Sequence, residues 1–368
     1  MRAKLSWAVV VIVSMTLGGA SVVGLDSLRS DEPRAPSIIQ SVSPSVDGVA
    51  VTALADVADL YEVVRPSVVR ISTQSGRGGG GLGSGVVIDK DGHILTNFHV
   101  IDGASQIDVR LADGTSALAR VVGTDPGNDL ALIEADLPAA KLVAATLGNS
   151  GDVRIGEFVI AVGNPFDIEG SLTQGVVSGV GRTLASGAGR PLRQLIQSDA
   201  AINPGNSGGA LFNQRGEVIG ITTAIENPSG DRVFVGIGYA VPIDTARRFL
   251  PELLQGSTIE HPRMGVALQN VTPSLAERLD LGVAEGVLIT TVEQGSAADR
   301  AGLQGGLGGN SSGTGDVIVA LDGEPVTTFE TLAQYIDDKD VGDQIEVEIV
   351  RAGERQSVSV TLEAWRSS

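Results

Sequence analysis

Residues 203–211 read NPGNSGGAL, which sets one hydroxyl, Ser207, among three glycines, two asparagines and a proline. A serine that attacks a carbonyl creates an oxyanion, and donors fixed in advance stabilise that charge where water would first have to reorganise. Glycine admits the φ/ψ values that turn successive backbone N–H groups toward one point beside the hydroxyl. For SGG alone, an ordinary glycine-rich hairpin is the competing reading. A hydroxyl nucleophile also needs a base, and the chain holds three imidazoles, His93, His99 and His261. His99, in LTNFHVI, is read at the end of an apolar strand, where packing anchors a neutral imidazole able to take a proton. A satisfied structural histidine is its alternative. Asp129, in TDPGNDLALIEA, stands ahead of another apolar strand, where a partly buried carboxylate requires a donor and a turn-capping aspartate is the bland option.

Positioning such groups falls to short strands. From Ser67 to Ile243 the segments SVVRIST, GSGVVID, HILTNFHV, QIDVRLA, DLALIEA, EFVIAVG, GVVSGVG, EVIGITTAI and GIGYAVPI are separated by turn signals such as DKDG, LADG and NQRG. This spacing predicts antiparallel barrels or sandwiches. Helical patterns flank the region at ADVADLYEVVRPSVV and PIDTARRFLPELLQ. From about Met264 a second unit begins, with strands near VLITTVE, DVIVALDG and QIEVEIV and helices at PSLAERL, SAADRAG and FETLAQYI, the pattern of a small α+β domain. The expected domains are 56–255 and 262–364, preceded by a Pro- and Ser-containing tether at 26–55 and an apolar segment at 1–25.

Taken together, TNFHV, GNDLAL and DAAINPGNSGGAL, in the order His, Asp, Ser, resemble the HtrA (Deg) family of serine proteases, of the chymotrypsin-like clan, over most of residues 58–363. The resemblance implies a mainly β fold: a chymotrypsin-like double antiparallel β-barrel followed by a small α+β PDZ-like domain. It implies a serine endopeptidase in which Ser207 attacks the peptide carbonyl, His99 takes and returns the proton, and Asp129 fixes the imidazole's tautomer. The backbone N–H groups of Gly205 and Ser207 become the oxyanion hole. The same pattern places the base of the primary specificity pocket at Ala201 and Ile202, neither of them acidic, so cleavage after Val, Ala or Ile is expected. Such residues are buried in folded proteins, which makes unfolded or misfolded chains the accessible substrates. The family further implies a homotrimer, and this mechanism requires no metal and no organic cofactor. Two positions depart from the family pattern: Ala210 stands where proline is frequent, and Ser198 where threonine is.

In the terminal domain RMGVAL, GSAADRAGL and GDVIVALDGEPV look like a PDZ domain. The backbone around Met264, Gly265 and Val266 would receive a peptide's C-terminal carboxylate, and a helix starting near residue 328 would form one wall of the groove. The alternative is a domain with a purely spacing role. Residues 72–85, STQSGRGGGGLGSG, are read as a loop, shorter than the long insertion of some relatives. GLGSG within it is no nucleotide site, because a strand follows it and no GK[ST] occurs.

Composition narrows the partners. A formal charge of −18 repels phosphate backbones and excludes nucleic acid, and zero cysteines exclude disulfides and thiolate sites. Arg2 and Lys4 precede an uncharged run at residues 5–25, long enough to span a bilayer with the downstream chain exported. The reading is a membrane-tethered protein with its catalytic part outside the cytoplasm, or a periplasmic or secreted one if the run is a cleaved signal. Two rivals to general quality control remain open: a chaperone or peptide-sensing scaffold with a latent site, and a site-specific protease acting on one signalling protein.

Overall fold

The structure, a computed structural model, describes residues 56–76, 79–164, 170–185, 190–203, 205–225, 235–306 and 315–365. The expected anchor and tether, residues 1–55, lie outside the described residues. Among the described residues no helix is long and apolar enough to cross a membrane.

Helix α1 (Val57–Val64) opens the described chain, capped by the Asp56 carboxylate, which accepts the Ala58 N–H at 2.9 Å. Six strands follow: β1 (Val68–Ser75), β2 (Gly80–Val87), β3 (His93–Thr96), β4 (Ala104–Arg110), β5 (Ser116–Asp125) and β6 (Leu130–Ala135). They close in the order β1-β2-β3-β6-β5-β4 around Val69, Ile71, Ile94, Val109, Ala131 and Ile133. The second group comprises β7 (Thr146–Leu147), β8 (Phe158–Gly163), β9 (Ser171–Leu184), β10 (Leu192–Ser198), β11 (Ala210–Asn213), β12 (Glu217–Ile225) and β13 (Gly238–Pro242). Pairing of β11 with both β8 and β12 closes a second barrel, and β7 joins β12 in parallel.

Besides their own cores, the barrels share an apolar cluster at their junction. Val68, Val86, Leu95 and Leu130 from the first pack with Ile160, Phe212 and Ile221 from the second, and Leu60 and Val64 of α1 join them. Each such side chain, fully buried, contributes roughly 1.5–3 kcal/mol, so the junction that carries the site is held by dry packing. β6 illustrates why its sequence runs apolar without alternation. Leu130 faces the other barrel, Ala131 and Ile133 face its own core, and Leu132 packs against Leu253 and Ile259.

Within residues 72–85, residues 72–75 and 80–85 are strand and not loop. β1 and β2 pair through them as a hairpin, with Arg70 opposite Ser84 and Gln74 opposite Gly80. The glycines of β2 serve packing, since a Cβ on Gly83 would lie 2.6 Å from Val100 Cγ1.

After helices α2 (Phe98–Ile101), in the first barrel, and α3 (Ile243–Leu254), which follows the second, the chain enters a mixed α+β region. Its strands are β14 (Pro262–Arg263), β15 (Val266–Asn270), β16 (Val287–Val292), β17 (Val317–Leu321), β18 (Glu324–Pro325), β19 (Gln344–Arg351), β20 (Glu354–Thr361) and β21 (Glu363–Ala364). Its helices are α4 (Pro273–Leu279), α5 (Ala297–Ala301) and α6 (Phe329–Asp337). β15-β16-β17-β19-β20 form one sheet over a core of Ile289, Ile318, Leu332, Ile336 and Val347. Thr328 caps α6 by accepting the Thr331 N–H at 3.2 Å, which starts the helix where the sequence predicts it.

Candidate active site

His99 does not end a strand. β3 stops at Thr96, Asn97 adopts an extended capping conformation, and His99 lies within the single turn of α2. The turn is pinned by Val100 and Ile101, both buried, while half of the His99 side chain stays exposed. Its Nδ1 is within hydrogen-bond distance of both carboxylate oxygens of Asp129, at 2.8 Å and 3.0 Å, and its backbone N–H donates to Oδ1 at 3.0 Å. Asp129 sits at φ 55, a left-handed conformation uncommon outside glycine, which aspartate tolerates better than most residues and which contacts constrain here. One such constraint is Asn97, whose Nδ2 donates to the Asp129 carbonyl at 2.9 Å.

Ser207 comes from the second barrel, in the turn before β11. N–H groups in this turn divide into two sets: those of Asn206, Gly208 and Gly209 donate to Asn203 O, Thr222 O and Asn206 O at 2.8–2.9 Å. Those of Gly205 and Ser207 donate to nothing among the described residues. Ser84 of β2 fastens this turn to the first barrel. Its hydroxyl donates to Gly205 O at 2.7 Å and accepts the Asn164 N–H at 2.8 Å, and its own N–H donates to Ser207 O at 2.8 Å. Glycine is required at 208, where φ is +83 and a Cβ would overlap Ser84 O and Thr96 Oγ1.

Thr223 joins the two halves. Its hydroxyl donates to Asp129 Oδ2, and its carbonyl accepts the Ser207 hydroxyl at 3.1 Å. The register between β12 and β13 shifts between Thr222 and Ala224, and a bulge of this kind re-aims a side chain out of the strand's alternation. The structure therefore brings His99 and Asp129 into direct contact and links Ser207 to them through Thr223. Among the described residues no hydrogen bond joins Ser207 to His99 directly.

Sequence reasoning missed Thr223, Ser84 and Asn97. The paired threonines of GITTAI were the available signal for the first; nothing local marks the other two. Of the pocket residues, Ile202 is buried and closes over Gly238, where a Cβ would lie 2.8 Å from Ile202 Cδ1. Ala201 is half-buried, and its carbonyl accepts the Thr173 hydroxyl at 2.8 Å. The neighbouring Asp199 carboxylate is committed to the Val176 N–H at 2.7 Å.

Between β15 and α6 runs an apolar groove of about 580 Å³, whose walls include Met264, Val266, Leu268, Leu332 and Ile336. At its end Gly265, at φ +82, packs so closely on Ser296 that no side chain fits, and its carbonyl accepts the Glu293 N–H at 2.9 Å. Its N–H donates to nothing among the described residues. Arg193 of β10 also lines the groove while its guanidinium binds Asp337 at 2.9 Å.

Two closed barrels with this site at their junction, followed by a grooved α+β region, define a trypsin-like serine endopeptidase that carries a PDZ domain. Residues 83–221 match the family model of the trypsin-like peptidase domain and residues 262–362 that of the PDZ domain. The chain is 39% identical over 339 residues to "Protease Do-like 1, chloroplastic" of Arabidopsis thaliana, covering 91% of this chain and 73% of the relative. It is 41% identical to a "Probable periplasmic serine endoprotease DegP-like" of Pseudomonas savastanoi pv. phaseolicola, over 77% of this chain and 56% of that protein. The chain thus spans just over half the length of this DegP-like relative. The solved structure "HtrA-type protease AlgW with tripeptide" superposes with a TM-score of 0.73 at 33% identity, covering 85% of this chain and 99% of that one. The chain belongs to the HtrA/DegP family of serine proteases.

Proposed function

We propose that Ser207 is the nucleophile, His99 the general base and acid, and Asp129 the carboxylate that holds the imidazole and stabilises its protonated form. The observation that carries this reading is a continuous chain of hydrogen bonds from His99 Nδ1 through Asp129 and Thr223 to the Ser207 hydroxyl. The N–H groups of Gly205 and Ser207, which donate to nothing among the described residues, form the oxyanion hole, while the Asn206, Gly208 and Gly209 N–H groups between and after them are paired. In this arrangement the hydroxyl donates to Thr223 O. The catalytic form requires it to turn to His99 Nε2, so the state described is a resting one.

Ala201 and Ile202 offer no counter-charge to a basic side chain, and the pocket accepts small or medium apolar residues. The substrates are unfolded or misfolded proteins. Met264, Gly265 and Val266 receive C-terminal carboxylates at the head of an apolar groove. The uncharged run at residues 5–25 supports a cell-membrane tether with the catalytic part outside the cytoplasm, or a periplasmic or secreted protein if it is cleaved, and DegP-like relatives are described as periplasmic. The working assembly is a homotrimer, which light scattering of the full chain tests.

The deciding experiment incubates the full chain, and Ser207→Ala beside it, with a denatured protein and reads the products by mass spectrometry. Cuts after Val, Ala and Ile by the first protein and none by the second are expected. Equal background from both would favour a peptide-sensing scaffold, and cuts after Lys or Arg would overturn the pocket assignment.

A further inference from the structure

His261 is one of only three imidazoles in the chain, and the reaction above makes no use of it. It lies on the segment between α3 and the PDZ domain, where only 4% of its side chain is exposed. That segment runs beside the end of β5, joined to it by a single parallel bridge. The Thr124 N–H donates to Ser257 O at 3.1 Å, the Ile259 N–H donates to Thr124 O at 2.8 Å, and Thr258 pairs with Thr124 in parallel. One residue past Thr124 is Asp125, whose side chain is fully buried. Its Oδ1 accepts His261 Nε2–H at 2.6 Å and the Asn128 N–H at 3.0 Å, and its Oδ2 accepts Asn128 Nδ2 at 2.7 Å.

The turn 125–128 is gripped from both sides. The imidazole packs so tightly on Gly127 that a Cβ there would overlap His261 Cδ2, and the Phe249 ring meets the imidazole edge-on at 5.4 Å. On the opposite side Arg190 Nη1 donates to Gly127 O and to Asn128 Oδ1, each at 2.8 Å. The next residue is Asp129, in the left-handed conformation that presents its carboxylate to His99. A conformation of this kind persists only where neighbouring contacts over-determine it.

We infer that His261 is a positioning residue for the catalytic carboxylate. The linker imidazole fixes Asp125, Asp125 fixes the turn, and the turn holds Asp129 against His99. The segment that tethers the PDZ domain is thereby part of the scaffold of the active site. The inference rests on the triad reading given above.

The test uses the full chain with a fluorogenic peptide carrying an apolar residue before the cut, and compares His261→Phe with His261→Gln. Phenylalanine keeps a ring against Gly127 but donates nothing; glutamine restores an N–H within reach of Asp125. Because a misplacement of one ångström at a catalytic group costs up to ~10²-fold, kcat of the Phe protein is expected to fall about tenfold. KM stays within about twofold, the signature of a lost transition-state interaction, and the Gln protein recovers most of the rate. A wild-type kcat in His261→Phe, or equal losses in the two variants, overturns the inference. If His261→Phe does not fold, Asp125→Asn carries the same measurement, and an unchanged kcat there is equally fatal. Ser207→Ala is run in parallel: activity that survives it removes the triad reading and this inference with it, whereas activity that it abolishes leaves the histidine variants to decide.

Discussion

Replacing Thr223 by valine tests the site at the point where its two halves meet. The change is close to isosteric and lies in a buried bulge of β12, so it removes a hydroxyl while leaving the packing in place. The Asp129 carboxylate then keeps the His99 N–H at 3.0 Å and the His99 ring at 2.8 Å, but loses its third donor. A hydrogen bond to a charged group is worth roughly 1.5–3 kcal/mol. Taking about 2 kcal/mol, expressed where His99 becomes cationic and needs the carboxylate correctly aimed, the expected fall in kcat is ~30-fold. KM changes little, because no contact to the substrate is altered. Steady-state cleavage of an internally quenched peptide measures both constants, and a thermal melt confirms that the fold persists. Thr223→Ser retains the donor and is expected to stay near wild type. Valine within twofold of wild type, or serine as impaired as valine, would show that the hydroxyl does not hold Asp129 in place.

Three further perturbations probe the elements around it. Ser84→Ala strips Gly205 O and the Asn164 N–H of their buried partner; a loss of about 2 kcal/mol by denaturant unfolding and a lower kcat are expected, and an unchanged kcat would separate this serine from the oxyanion turn. Gly208→Ala forces a side chain into a left-handed position already filled by Ser84 O and Thr96 Oγ1, for a cost of about 3 kcal/mol or more, and wild-type stability would contradict the geometry. In the PDZ domain the Tyr335 hydroxyl, then the Glu346 N–H, hold the Asp322 carboxyl below its ordinary value. The folded value is the lower one, so this contribution is complete above the unfolded pKa of roughly 4 and is lost as pH falls through the folded value. Asp322→Asn is therefore expected to cost most near neutral pH and progressively less on acidification in urea titrations; a pH-independent difference would refute the assignment.

How much of this was legible beforehand depended on whether a residue's role leaves a local trace. Strands that read as continuous apolar runs because both of their faces are buried, such as EVIGITTAI and EFVIAVG, were visible. β5 and β10 were not, for reasons their surroundings supply. β5 leaves the apolar Leu118 and Val121 exposed and has a register shift between Val121 and Gly123, and β10 carries Gln194 at φ 57 within a register shift between Leu192 and Leu195. Each breaks the period of two on which recognition of a strand relies. Glycine content misled at residues 80–85, where the missing side chains make room for Val100 and for the Ser207 backbone rather than freeing a loop.

The same distinction sorts the site. Ser207, the proposed nucleophile, stood out because the oxyanion turn proposed for it needs glycines beside the hydroxyl, and that requirement is written within a few residues. Thr223, Ser84 and Asn97 act across 94, 121 and 32 positions of sequence, so their roles exist only once the barrels have closed. His261 is the extreme case. It is separated from Asp125 by 136 positions, and as text it is one spare imidazole in an interdomain segment. Three backbone residues laid along Thr124 bring it there. A residue whose contribution depends on a linker settling against the end of a strand leaves nothing in its own neighbourhood to read, and for that reason control of this active site belongs in the linker as much as in the loops that touch substrate.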